Sequence, residues 1–172
     1  MTDVILVLNA GSSSIKFSVF EHTAREPTLV FGGQIEGLYT TPRFKAENAL
    51  GETIGTFRWS EGARLGHEGG VTHIAEFLRA HRESYRLVGV GHRVVHGGLE
   101  FSQPVRVTGE VLEKLAKLTP LAPLHQPHNL KPIGVVAEQL PELPQVACFD
   151  TGFHRAQSEL VQAYALPRKV TE

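Results

Sequence analysis

The chain has 172 residues and a mass of 18.9 kDa, enough for one substantial domain with a sizeable core. Hydrophobic residues make up 41%, charged residues 20%, and the formal net charge is -1, so no large basic field points to nucleic acid or an anionic membrane. The single cysteine, Cys148, excludes an internal disulfide framework and suits a reducing compartment. The amino-terminal apolar run, Val4 to Leu8, is too short for a signal peptide, and no stretch approaches the ~20 apolar residues of a spanning helix. The expectation is a soluble cytoplasmic protein with neither a membrane nor a nucleic-acid partner.

Val4-Ile5-Leu6-Val7-Leu8 is a continuous apolar run bounded by Asn9-Ala10-Gly11, the pattern of a strand buried on both faces. After Gly11-Ser12-Ser13-Ser14 the chain alternates, with Ile15, Phe17 and Val19 on one face and Lys16 and Ser18 on the other. That predicts a second strand joined to the first as a hairpin. Strand-like segments follow at Thr28 to Ile35 and Thr53 to Trp59. Helical spacing then appears in Val71, Ile74, Ala75 and Leu78, followed by a strand at Leu87 to Val90. Val111, Leu112, Leu115 and Leu118 mark a helix with Thr108 as its N-cap. Ile133, Val136, Ala137 and Leu140 mark another, with Pro127 near its start and Pro141 just beyond its end. A last buried strand, Val146 to Phe149, delivers Asp150 at its carboxyl end. Strands come first and then alternate with helices, so the class is mixed α/β.

Four polar loops lie beside these apolar elements. In Asn9-Ala10-Gly11-Ser12-Ser13-Ser14-Ile15-Lys16, glycine permits close approach to the backbone, and hydroxyls and amides can bind an anion. The Walker spacing is absent, and an ordinary Gly-Ser hairpin turn is the alternative. In Gly91-His92-Arg93-Val94-Val95-His96-Gly97-Gly98, Arg93 lies near a strand end and offers a planar fork for carboxylate or phosphate, or else a structural ion pair. His92 and His96 have the spacing of helical metal ligands, but the flanking glycines argue against a helix. In Leu121-Ala122-Pro123-Leu124-His125-Gln126-Pro127-His128-Asn129-Leu130, prolines stiffen a loop that either presents His125 or fills a loop core with it. In Phe149-Asp150-Thr151-Gly152-Phe153-His154, a carboxylate ends a buried strand, which is costly unless it binds a cation, accepts hydrogen bonds or caps a helix. Cys148 reads as a small core residue, since no cationic activator adjoins it. An anion loop, an arginine, a histidine and an aspartate together suit phosphoryl transfer, which depends on positioning and charge neutralisation.

These four motifs, in this order and covering essentially the whole chain, resemble the signatures of the acetate kinase family. Gln126 stands where that family commonly has Asn and Gly152 where it has Ala, which bears only on the subgroup. The resemblance implies a ribonuclease H-like fold of the actin-like ATPase superfamily, a mixed sheet with flanking helices. Residues 1–172 would form the amino-terminal domain, and the nucleotide-binding carboxyl-terminal domain would lie beyond Glu172. It implies reversible phosphorylation of acetate to acetyl phosphate, with ATP/ADP as co-substrate and Mg2+ (or Mn2+) as cofactor. Arg93, His125 and Asp150 would be catalytic, and Arg93, Val95 and Leu124 would contact the acyl substrate. Ser12, Ser14 and Lys16 would bind phosphate, and Asn9 and Asp150 would stand on the metal side. The full-length protein would be a homodimer and the 172-residue chain alone inactive. Rival readings are a propionate or butyrate kinase, a non-catalytic actin-like binding domain, and a metallohydrolase built on His92, His96 and Asp150.

Overall fold

The computed structural model describes residues 1–23, 25–81, 85–155, 157–163 and 165–171, so Glu172 lies outside the described residues. The apolar amino-terminal run becomes strand β1 (Thr2–Ala10), which turns back antiparallel into β2 (Ser14–Glu21) with Ala10 opposite Ile15. Strands β3 (Thr28–Glu36), β4 (Arg43–Asn48) and β5 (Thr53–Arg58) continue outward as an antiparallel meander. Helix α1 (Gly66–Ala80) then crosses over to β6 (Tyr85–Val94), which lies parallel to β1 on its other side. The short β7 (Val105–Arg106) and helices α2 (Gly109–Lys117) and α3 (Gln126–Gln139) lead to β8 (Gln145–Phe149), parallel to β6. The sheet order is β5-β4-β3-β2-β1-β6-β8-β7. Three four-residue helices, α4 (Gly152–Arg155), α5 (Glu159–Gln162) and α6 (Arg168–Thr171), follow.

The sequence pattern explains the layering. Val4, Leu6, Leu8 and Ala10 of β1, with Ile15, Phe17 and Val19 of β2, face the helices and are buried. Val71 and Ile74 of α1 and Val135 and Val136 of α3 close the same core. Burying each such side chain stabilises by roughly 1.5–3 kcal/mol. A second cluster, Val94, Phe101, Leu115, Ile133 and Ala147, packs under α2 and α3 at the β6–β8 end. Thr108 caps α2, its side chain accepting a hydrogen bond from the Val111 N–H.

Two strands were not anticipated. In β4 the inward Phe44 and Ala46 are interleaved with the charged Arg43, Lys45 and Glu47, which dilutes the apolar signal. At two residues, β7 is too short to show a period. Cys148 also departs from the expectation, being exposed rather than in the core. Alternation along β8 turns Ala147 to the helices and sends Val146 and Cys148 to the opposite face, where Val7 of β1 is exposed too. No helix among the described residues is long and apolar enough to cross a membrane.

Candidate active site

Parallel pairing decides where the polar loops meet. Leu8 of β1 pairs with His92 of β6, and Arg93 and Val94 of β6 pair with Cys148 and Phe149 of β8. Asn9, Arg93 and Asp150 therefore emerge side by side at the carboxyl ends of three neighbouring parallel strands, where open α/β sheets bind ligands. Arg93 forks onto Asp150, with Nε 2.9 Å from Oδ1 and Nη2 2.6 Å from Oδ2. Its Nη1 donates to Asn9 Oδ1 at 3.2 Å. The guanidinium thus occupies the point on which two oxygen-bearing side chains converge. Both members of the ion pair are about half exposed, so the pair adds little to stability and can exchange partners.

The surrounding loops are tied by buried amides. Asn129, in the first turn of α3, accepts from the Val95 N–H at 2.9 Å and donates from Nδ2 to the Ala10 carbonyl at 2.6 Å. One side chain thus fastens the end of β1 to the segment following β6. Gln126, fully buried, donates from Nε2 to the carbonyls of His96 and Leu115. Its Oε1 has no partner among the described residues. The Gly97 N–H donates to Thr151 Oγ1 at 3.0 Å, and the Asp150 N–H to the Val94 carbonyl at 3.1 Å. Glycine is required at 97, because a Cβ there would lie 2.2 Å from the Phe101 carbonyl oxygen.

The other residues singled out in the sequence lie around this centre. Ser12 is exposed, Ser14 opens β2, and Lys16 is exposed on the same strand, paired across to Asn9. A Cβ on Gly11 would meet nothing nearer than Ser14 Oγ at 3.5 Å, so the protein's own packing does not demand glycine there. Leu124 and His125 are exposed on the loop immediately before α3, and Val95 is half-buried. His125 makes no side-chain hydrogen bond to the Asn9–Arg93–Asp150 group. The metallohydrolase trio separates: His92 is buried with Nε2 2.7 Å from Gln145 Oε1, His96 Nδ1 accepts from the Gly98 N–H, and Asp150 serves Arg93. Burial pushes the His92 pKa down to about 4 despite the bond to Gln145. No cluster of three or more His, Cys, Asp or Glu among the described residues is arranged to hold a metal.

A partly open apolar cavity of about 180 Å³ lies between the sheet and helices α1 and α3, lined by Val4, Leu6, Phe31, Ile74, Leu87 and Leu140 among others. It sits toward the opposite ends of β1 and β6, and its nearly all-apolar wall offers nothing for anion chemistry. The polar centre at the strand ends is the better candidate.

The architecture is that of a ribonuclease H-like, actin-like domain, with the Asn9–Arg93–Asp150 cluster at the carboxyl edge of its parallel strands. The acetokinase family model matches residues 4–172, and the chain belongs to that family. A protein named acetate kinase from Rhodopseudomonas palustris is 47% identical over 176 residues, covering 100% of this chain and 43% of the relative. A propionate kinase structure from Francisella tularensis superposes with a TM-score of 0.81 at 35% identity, covering 98% of this chain and 42% of that one. The Porphyromonas gingivalis acetate kinase structure gives 0.82 at 34% identity, with the same coverage. The chain thus spans less than half the length of the relatives it matches.

Proposed function

We propose that residues 1–172 act as the amino-terminal domain of a longer acetate kinase and supply its acyl- and phosphoryl-receiving wall. The observation that carries this reading is the convergence of Asn9, Arg93 and Asp150 at the ends of three adjacent parallel strands. Acetate is already ionised at pH 7, since carboxyl pKa values lie near ~4, so no general base is required. The obstacle is repulsion between that carboxylate and the γ-phosphate, about 4 kcal/mol per pair of unit charges at 4 Å and an effective dielectric of ~20. Arg93 meets this directly: its fork, now on Asp150, can turn to the substrate carboxylate or the phosphoryl oxygens. His125, exposed on a proline-stiffened loop, donates to the equatorial oxygens, and Val95 and Leu124 border the methyl group. Ser12, Ser14 and Lys16 face the phosphate side.

The donor set fits a hard divalent cation such as magnesium. Asp150 and Asn9 present oxygens to one point that already holds the cationic guanidinium, and magnesium commonly uses one carboxylate with waters and phosphates. Asp150, with Asn9 through water, would hold the ion, which supplies charge neutralisation on the nucleotide phosphates. A protein with one cysteine and small anionic substrates suits the cytoplasm, and the full-length protein would act as a homodimer.

An acetate- and ATP-dependent hydroxamate assay tests this. The full-length protein should turn over, and the 172-residue chain should not. Normal turnover by the 172-residue chain would overturn the division of labour, and none by the full-length protein would overturn the activity. Because the Francisella tularensis neighbour is titled a propionate kinase, propionate is the second acceptor to assay. One methylene separates the two substrates by only ~1–3 kcal/mol.

A further inference from the structure

Beneath the Asn9–Ser14 loop sits a histidine that no sequence motif marks. His67 lies in the first turn of α1 and is 2% exposed. Its Nε2 is 2.7 Å from the Gly11 carbonyl oxygen and its Nδ1 is 2.9 Å from the Tyr39 hydroxyl. A carbonyl can only accept, so Nε2 carries the proton. The neutral ring then has a bare Nδ1, and the Tyr39 hydroxyl donates to it. Burial pushes the His67 pKa below its ordinary value, outweighing the Gly11 bond, and His128, stacked at 5.1 Å, and Lys131 push the same way. A neutral ring with this tautomer is the form the surroundings favour.

The consequence falls on the loop. In a planar trans peptide the carbonyl and the following N–H point in opposite directions. With the Gly11 carbonyl held inward by His67, the Ser12 N–H is turned outward. The preceding carbonyl, Ala10, is held by Asn129, and the Gly11 N–H is taken by the Ser14 carbonyl at 2.8 Å. Among the described residues no hydrogen bond uses the Ser12 or Ser13 N–H. The loop is therefore clamped from below at two successive carbonyls while its next amides stay available. We propose that His67 is a positioning residue for phosphoryl transfer, its imidazole clamping Gly11 so that the Ser12 N–H is presented to the phosphoryl oxygens. This rests on the phosphotransferase reading above and deepens it.

Kinetics of the full-length protein test the clamp. His67→Phe should lower kcat at least about tenfold while leaving KM for acetate within about twofold, since a preorganised donor is lost but the acyl pocket is not. His67→Gln, whose amide N–H can reach the Gly11 carbonyl, should recover kcat to within about threefold. Folding is checked by melting temperature on the same preparations. A folded His67→Phe with wild-type kcat overturns the proposal, and so does a folded His67→Gln no better than His67→Phe. Should His67→Phe fail to fold, His67→Gln is compared with His67→Asn, whose shorter amide does not reach Gly11; equal kcat overturns the proposal. If wild type itself makes no acyl phosphate, the kinase reading falls. The clamp is then read by NMR from the Ser12 amide on adding inorganic phosphate. A shift in wild type that is lost in His67→Asn supports it, and no shift in wild type, or the same shift in both, overturns it.

Discussion

The candidate site has two layers that differ in how they are held. Arg93, Asp150 and His125 are open to solvent, whereas His67, Gln126 and Asn129 beneath them are 4% exposed or less. In the outer layer a half-exposed ion pair contributes about 0–1 kcal/mol, so Arg93 and Asp150 can change partners at little cost. In the inner layer each lost bond leaves a backbone group unpaired and at least partly shielded from water, at about 1–3 kcal/mol per group. On the proposed reading, reactivity sits where partners exchange, and the geometry is fixed where they cannot.

Substitution at the centre of the inner layer should have the largest effect. Asn129→Leu orphans the Val95 N–H and the Ala10 carbonyl together and should cost about 4 kcal/mol of unfolding free energy. Urea denaturation of the full-length protein measures it, and a loss below about 1 kcal/mol would remove the distinction between the layers. The outer layer should show the reverse signature. Arg93→Ala should reduce full-length turnover at least ~100-fold, as losing one charge-stabilising donor does, while stability moves by less than about 1 kcal/mol. Near-normal turnover would take Arg93 out of the mechanism.

The same division explains what could be read from the sequence. Asn9, Arg93 and Asp150 could be singled out because each follows or ends an apolar strand, although a hairpin turn, an ion pair or a helix cap was also open to them. The mixed α/β class and the strands and helices with strong periodicity were legible for a similar reason. The inner layer was not. Nothing in Asn129 announces a bond to Ala10, 119 positions earlier, and His67 stands in a helix whose other residues read as ordinary amphipathic spacing. A glutamine such as Gln126, followed by proline in a loop, gives no sign of complete burial. The one available hint was that His67 directly follows a glycine that opens a helix, and that Gln126 itself opens one, just before a proline.

A titration sharpens the contrast within β6, where exposed Arg93 directly follows buried His92. The folded His92 pKa lies near 4, below its ordinary 6.5, so in this window the folded chain binds fewer protons than the unfolded one. Its neutral form costs nothing above pH 6.5, and stability drains away as pH falls from there toward 4. Between pH 6.5 and about pH 5 the loss from this residue should be roughly 2 kcal/mol. His92→Gln, which keeps an amide near Gln145, should flatten that part of the stability profile relative to wild type. Parallel profiles for the two proteins would show that His92 is hydrated and not buried as described.

The smallest effect is expected at Thr108, which belongs to neither layer but begins the helix that leads to both Gln126 and His125. Its side chain accepts from the Val111 N–H at 3.2 Å and satisfies one of the free donors at the start of α2. Thr108→Ala should lower stability by about 1 kcal/mol. Because the cap lies at the opposite end of α2 from Leu115, whose carbonyl takes a bond from Gln126, the loss should stay in the fold and leave turnover unchanged. A kcat change larger than about threefold in a folded Thr108→Ala protein would mean that the inner layer relays strain from α2 to the outer one, and the two layers would then have to be treated as a single unit.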